Sequence, residues 1–314
     1  MKISGEMGLQ NRRRKKISVR EWQLYSLCAI PMLLVFIFCY LPMGGILIAF
    51  KDFKYSLGIL KSPWVGLDNF KFFVTSSDFL KLVRNTLGLN FVFIITGTLA
   101  SLLVAILLFE LKSRLSTKIF QTVLITPHFL SWVVVSYMVY AFLHPDYGII
   151  NKMLLGMHLS KVDWYATPGA WPFILTIASV WKHVGMDSVV YYAALMGLDI
   201  SLFEAAEIDG AKKWQINLKI VLPSLIPLIS VLTILKIGNI FRADFGLFYQ
   251  LTRDVGALYS TTDVVDTYIF RAMRKIGDMG MSSAAGLLQS LVGFVLVIVT
   301  NYFSKKIDAD MGLF

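Results

Sequence analysis

Long apolar runs separated by short polar segments dominate this chain. They extend from Leu24 to Phe50, Thr86 to Phe109, Ile119 to Leu143, Ala170 to Leu198, Leu218 to Ile240 and Ala284 to Phe303. A hydrocarbon layer of roughly 30 Å is crossed by about 20 helical residues. The pattern therefore predicts an all-α membrane protein with about six transmembrane helices. The first run has the basic flank of a signal peptide, Arg12-Arg13-Arg14-Lys15-Lys16, but is too long and lacks a small-residue cleavage site, so it is expected to persist as a span. The domain reading is a basic arm over 1–23, a membrane domain over 24–304 and a tail over 305–314.

Between the first two runs, Trp64 to Arg84 alternates Leu67, Phe70, Phe73 and Val74 with Asp68, Lys71 and Ser77, which predicts an amphipathic helix lying along the outer face (64–85). The segment 243–283 is less apolar and carries Arg253, Asp254, Asp263, Asp266, Arg271 and Arg274; it reads as an external loop with short helices. The fourth run is too long for one straight span. Its interruption at Trp181-Lys182-His183-Val184-Gly185-Met186-Asp187-Ser188 predicts a break, with His183 and Asp187 four apart on one face and able to satisfy each other.

Composition agrees with the pattern: 56% hydrophobic, 16% charged, and a mean hydropathy of +0.67. The net charge of +10 would suggest nucleic acid in a soluble protein. Here the basic residues cluster beside apolar runs, where anionic lipid headgroups meet them, so membrane lipid is the expected partner and nucleic acid is not. Basic residues nearly balance across the two faces. The dense cluster before the first span decides for a cytoplasmic N-terminus. Cys28 and Cys39 stand about 16 Å apart on one helix, too far for a disulfide, and read as buried apolar thiols. The four histidines make no zinc motif, and no Walker A sequence, nucleophile elbow or HExxH occurs. No metal, no directly bound cofactor and no enzymatic activity are expected.

The polar segment after the fourth run is the most specific feature. Ser201 with Glu204 forms a capping-box pattern that should open a short helix. Ala205 and Ala206 offer a flat face for close approach by another protein, and Gly210 permits a sharp turn out of the helix. Glu204, Ala205, Ala206, Asp209, Gly210, Ala211, Ile220, Leu222 and Pro223 match the pattern EAAxxDGAxxxxxFxxIxLP, with Asn217 in place of the phenylalanine. In this the chain resembles the permeases of binding-protein-dependent ABC importers. Trp64-Val65-Gly66-Leu67-Asp68-Asn69-Phe70, Asn85-Thr86-Leu87, Pro127-His128-Phe129-Leu130-Ser131-Trp132, Ala193-Ala194-Leu195 and Asp263-Val264-Val265-Asp266-Thr267-Tyr268 make it similar to the sugar branch that serves polysaccharide and complex-oligosaccharide permeases.

The resemblance implies a type I importer permease fold in the bacterial cell membrane, with segment 201–212 as a cytoplasmic coupling helix seated on an ATPase. It also implies a second homologous permease subunit, two ATP-binding subunits holding ATP and Mg, and an extracytoplasmic solute-binding protein. Sugars are held by planar hydrogen bonds and aromatic faces, which makes Trp181, Tyr191, Tyr192, Asn239, Tyr249 and Gln289 path candidates, though packing between helices would also account for each. Lys236, Asn239 and Arg242 follow at three-residue steps and would line a cavity, unless Arg242 simply snorkels to the outer interface. Lys182 and Lys236, if cavity-facing, would favour anionic, uronate-type chains. The rival reading is an ion-gradient-driven secondary transporter, which should show paired broken helices and intramembrane acids. A membrane-embedded enzyme is a weaker rival, since no nucleophile, base and metal constellation occurs at membrane depth.

Overall fold

Apolar helices long enough to span a bilayer make up most of the computed structural model, which describes residues 19–307. Most of the expected basic arm and the tail beyond Ile307 lie outside the described residues. The chain divides into two compact units, 1–47 and 48–314. In the first, α1 (Val19–Val35) contains Pro31 and continues as a π-helical turn, Phe36–Tyr40, and 3-10 turns from Leu41. Cys28 and Cys39 are free thiols and exposed, not buried as the sequence suggested. A thiol facing lipid is as apolar as one in a core, so composition cannot tell the two apart.

The second unit holds α2 (Gly58–Lys61), α3 (Asp68–Val74), α4 (Phe79–Phe109), α5 (Arg114–Ile125), α6 (Trp132–Leu143), α7 (Ile149–Gly156) and α8 (Trp171–Leu195). It continues through α9 (Ile200–Ile208), α10 (Lys213–Ile216), α11 (Leu222–Gly238), α12 (Tyr259–Thr262), α13 (Val265–Arg271) and α14 (Met279–Ile307). Among the described residues five helical stretches meet the length and hydropathy of a span, and the pair α5–α6, bent by 97°, counts as a sixth when taken as one broken span. The amphipathic helix expected over 64–85 is shorter: α3 ends at Val74, and Phe79 to Arg84 open the long span α4. Asn69 fixes α3 by donating to the carbonyls of Ala49 and Lys51.

Lipid inverts the usual sorting of side chains, since burying apolar groups between helices gains little over leaving them in lipid. On α4 the large residues Phe91, Ile95, Leu99, Leu103 and Leu107, each four apart, are exposed, whereas Asn85, Thr86, Ser101 and Ala105 are buried alongside Leu82, Leu89, Leu102 and Leu108. Small residues let the backbones close. A Cβ on Gly293 would come within 2.6 Å of the Gly238 carbonyl oxygen where α11 meets α14. One on Gly185 of α8 would overlap the Leu124 carbonyl of α5 and lie 2.7 Å from the Ile125 nitrogen.

The direction of the spans follows from contacts at their ends. Phe109 at the end of α4 packs against Phe203 beyond the end of α8, ring centres 5.5 Å apart. At the other end, Asn85 donates to the Asp263 carbonyl and Thr261 to that of Pro168, so the starts of α4 and α8 share one segment. The two helices are therefore parallel, and α5–α6 must carry the chain across despite its bend. α8 itself is one unbroken helix, which corrects the break expected at 181–188. Lys182 and Asp187 bond outward to neighbouring elements, His183 and Ser188 bond to carbonyls of α8 itself, and Gly185 serves close packing, so none interrupts the backbone ladder.

Segment 243–283 is largely helical and well packed, and its last residues begin α14. Leu247, Phe248, Leu251, Leu258, Val264 and Val265 are buried. Arg271 binds Asp263, itself 3% exposed, through both carboxylate oxygens at 2.6 Å, binds Asp254 at 3.1 Å, and lies 4.1 Å from the centre of the Tyr259 ring. Burial, followed by the Asp254 hydrogen bond, pushes the Tyr259 hydroxyl up to about 12, so it stays a donor to Asp254 at 2.8 Å across the ordinary pH range. Desolvated charge persists only when paired and hydrogen-bonded, as this cluster is.

Candidate functional site

The segment after α8 is built by two local devices. Asp199, not Ser201, is the N-cap: its carboxylate accepts from the Ser201 amide at 2.9 Å. The Ser201–Glu204 capping box expected from the sequence is absent because the helix starts earlier, at Ile200. At the other end, the Gly210 amide donates to Glu207 and the Ala211 amide to Ala206, closing a Schellman motif around Gly210 at φ +76°. The Asp-Gly-Ala of the sequence pattern is thus the C-cap, the left-handed residue and the residue after it. The helix spans 200–208, shorter than the expected 201–212; Lys212 caps α10, its amide donating to Gln215 at 2.7 Å. A π-helical turn, Asn217–Val221, then leads into α11, whose first residues are Leu222 and Pro223.

Hydrogen bonding from Ser201 holds the Asp199 carboxyl below the usual carboxylate range. A depressed folded pKa means that the cap is present above the unfolded value and is lost as pH falls through the folded one. Asp199→Ala is expected to lower the protection factor of the amide at position 201 several-fold, as is acidification below the carboxylate range, whereas Ser201→Ala leaves it nearly unchanged. Hydrogen exchange read by mass spectrometry checks this, and equal effects of the two substitutions would contradict the assigned cap.

Phe203 and Ala206 of α9 pack on a core of Leu102, Tyr191, Leu195, Ile216, Val221 and Leu225. Leu202, Ala205 and Ile208, at three-residue steps, are exposed, Ile208 at 87%, and Glu204 and Glu207 are exposed beside them. A short helix clamped from behind therefore presents an apolar stripe edged by acids. Asn217 donates to Glu110 at 2.7 Å, so where the family pattern has an apolar contact this chain ties the base of α11 to the end of α4. Neither Glu110 nor the Phe109–Phe203 contact is visible from sequence spacing, since both are long-range.

A cavity of about 520 Å³ opens between α4, α8 and α11. Its polar lining includes Asn90, His183, Asp187, Lys236, Asn239 and Arg242. Lys236 binds Asp187 at 2.7 Å, while His183 Nδ1 lies 2.9 Å from the Ser179 carbonyl oxygen, so the expected His183–Asp187 contact is replaced. Lys236, Asn239 and Arg242 do share the cavity, but α11 ends at Gly238, so only Lys236 is helical. Gln289 is buried and donates to the Phe241 carbonyl and to Asp266. Burial is the largest influence on Asp266 and pushes its carboxyl up, against the hydrogen bonds from Ala243 and Gln289.

The other predicted path residues are not brought to this cavity. Lys182 is 6% exposed and donates to the carbonyl oxygens of His128 at 3.0 Å, Pro127 at 3.4 Å and Leu130, while also lying 5.1 Å from the centre of the Trp132 ring. It serves the bend between α5 and α6, where helical bonding is interrupted. Trp181 lines a separate, almost wholly apolar groove with Phe142 and Phe173. Tyr191 is buried in the core behind α9, with Tyr192 packed against it, and Tyr249 lies in an aromatic cluster with Phe245 and Phe270. Asn90 and Asp244 were not anticipated. Asn90 donates to the carbonyls of Ile240 and Arg242, and Asp244 accepts from the Trp132 indole at 2.7 Å.

Parallel spans, a polar cavity between them and a capped helix projecting from one end define a multi-pass membrane permease. The family of binding-protein-dependent transport system inner membrane components matches residues 86–309, and the chain belongs to that family. It is a permease subunit of a binding-protein-dependent importer, a pore component without enzymatic chemistry of its own. It is 38% identical over 301 residues to protein LplB of Bacillus subtilis (strain 168), covering 94% of this chain and 92% of that protein. Against the polygalacturonan/rhamnogalacturonan transport system permease protein YteP of the same organism, identity is 33% over 302 residues, with 96% and 94% covered. A chain in the crystal structure of a bacterial alginate ABC transporter, in complex with an alginate pentasaccharide-bound periplasmic protein, matches with TM-score 0.82 and 33% identity, covering 92% of this chain and 96% of that one.

Proposed function

We propose that this subunit forms half of the translocation pore of an ATP-driven importer for oligosaccharides or polysaccharide fragments of acidic, uronate-bearing type. The observation that carries the proposal is α9: a helix held from behind by Phe203 and Ala206, stopped by a Schellman turn, with the Leu202–Ala205–Ile208 stripe exposed. Such a stripe is the surface an ATPase subunit would cover, and the clamp transmits its displacement to the ends of α4 and α8. Two ATPase subunits hold ATP and Mg in this reading, and a second, homologous permease completes the pore. The N-terminus and α9 lie in the cytoplasm, and 243–278 meets the loaded binding protein outside. The relatives named for polygalacturonan and alginate support the acidic substrate class.

The cycle is a two-state equilibrium biased by loaded binding protein on one side and nucleotide on the other. Ala205→Cys, photo-crosslinked in membranes and purified in mild detergent, is expected to capture an ATP-binding subunit, with a second permease co-purifying. Crosslinks to lipid alone would remove the coupling assignment.

A further inference from the structure

A carboxylated sugar entering the cavity between α4, α8 and α11 leaves water and needs a cation there, because an unpaired charge in a low-dielectric site is costly. Lys182 is committed to the carbonyls of Pro127, His128 and Leu130. Lys236 lines the cavity but is neutralised by Asp187 at 2.7 Å. Arg242 differs. Among the described residues no carboxylate lies within ion-pairing distance of its guanidinium, whose one hydrogen bond runs from Nη2 to the Ser290 hydroxyl at 2.9 Å. Of the nearby acids, Asp244 accepts from the Trp132 indole and the Leu247 amide, and Asp266, close enough for the charge of Arg242 to favour its ionised form, takes its hydrogen bonds from the Ala243 amide and Gln289.

Arg242 also occupies a junction. It lines the main cavity and, with Leu235 and Asn239, an adjoining one bounded by Gln289, Ser290 and Gly293 of α14. The strand of backbone that carries it is fixed by Asn90, whose side-chain amide donates to the carbonyls of Ile240 at 2.8 Å and of Arg242 itself at 3.3 Å. A guanidinium has five donors in a planar fork matched to a carboxylate, and most of those on Arg242 are uncommitted. We propose that Arg242 is the specificity-determining residue of the pore, taking the carboxylate of a uronate unit as it passes, with Asn90 as its positioning residue. This rests on the oligosaccharide-importer reading above.

The test is uptake in cells or proteoliposomes with the binding protein and ATPase unaltered. Short oligogalacturonates and oligomannuronates are each compared with their carboxyl-reduced, neutral counterparts of equal length. The wild type is expected to prefer the acid forms. Arg242→Met should lower the acid-to-neutral uptake ratio tenfold or more, and Arg242→Lys, which keeps the charge but loses the fork, by about threefold. Because the binding protein is common to all variants, its own preference cancels in the comparison. An unchanged ratio in Arg242→Met overturns the proposal; should that variant fail to insert, an unchanged ratio in Arg242→Lys does so. A wild type that takes only neutral chains overturns it together with the acidic substrate class, while leaving the oligosaccharide-importer reading standing, and one that takes no oligosaccharide removes both.

Discussion

Gly210→Pro is expected to abolish solute uptake while the protein still inserts and the partner ATPase still binds nucleotide. Gly210 sits at φ +76°, and its amide donates to Glu207. Proline fixes φ near −65° and has no amide hydrogen, so the turn that stops α9 cannot form. Alanine keeps the amide but pays roughly 1–2 kcal/mol for the left-handed conformation, and Gly210→Ala should reduce uptake only in part. Open space surrounds a Cβ at this position, so the effect is conformational and not a clash. Uptake of labelled oligosaccharide, scored beside membrane insertion and nucleotide binding, checks this. Wild-type transport in the proline variant would show that the motif has no part in coupling.

The second large effect is expected at Lys182. Lys182→Met removes the donor shared by three carbonyl groups at the bend between α5 and α6. The three acceptors are partly buried, and leaving each unmade costs about 1 kcal/mol, the low end of the range for buried groups, so destabilisation of roughly 3 kcal/mol should follow. It is read as reduced resistance to denaturing detergent and a lower yield of folded protein. Molecules that do fold should retain the substrate preference of the wild type. Unaltered stability with altered preference would instead return this lysine to the translocation path.

These two sites show what was legible in the sequence. The spans were, because lipid imposes length and hydropathy on each separately. So was the turn at Gly210, whose cause is local. Lys182, His183, Gly185 and Asp187 misled, since polar and small residues in mid-span look like an interruption. Three of them make hydrogen bonds, Lys182 and Asp187 to other elements, and Gly185 lies against the α5 backbone. The helix cap was misplaced by two residues because Asp199 and Ser201 are both good caps and only the backbone path chooses between them. The cavity's charge pairing was invisible for a simpler reason: Lys236 and Asp187 stand 49 positions apart.

The crossing at Gly185 sets where the pore has freedom to widen. Backbone meets backbone there, with no side chain between to yield, so α5 and α8 form a stiff plank. On the facing side, α8 and α11 share apolar packing at the α9 end, and across the cavity itself they are joined by one charge pair, about a third exposed, which water or cargo can loosen. Dilation of the passage should therefore swing α11 and α14 outward like a door, with the plank as its frame.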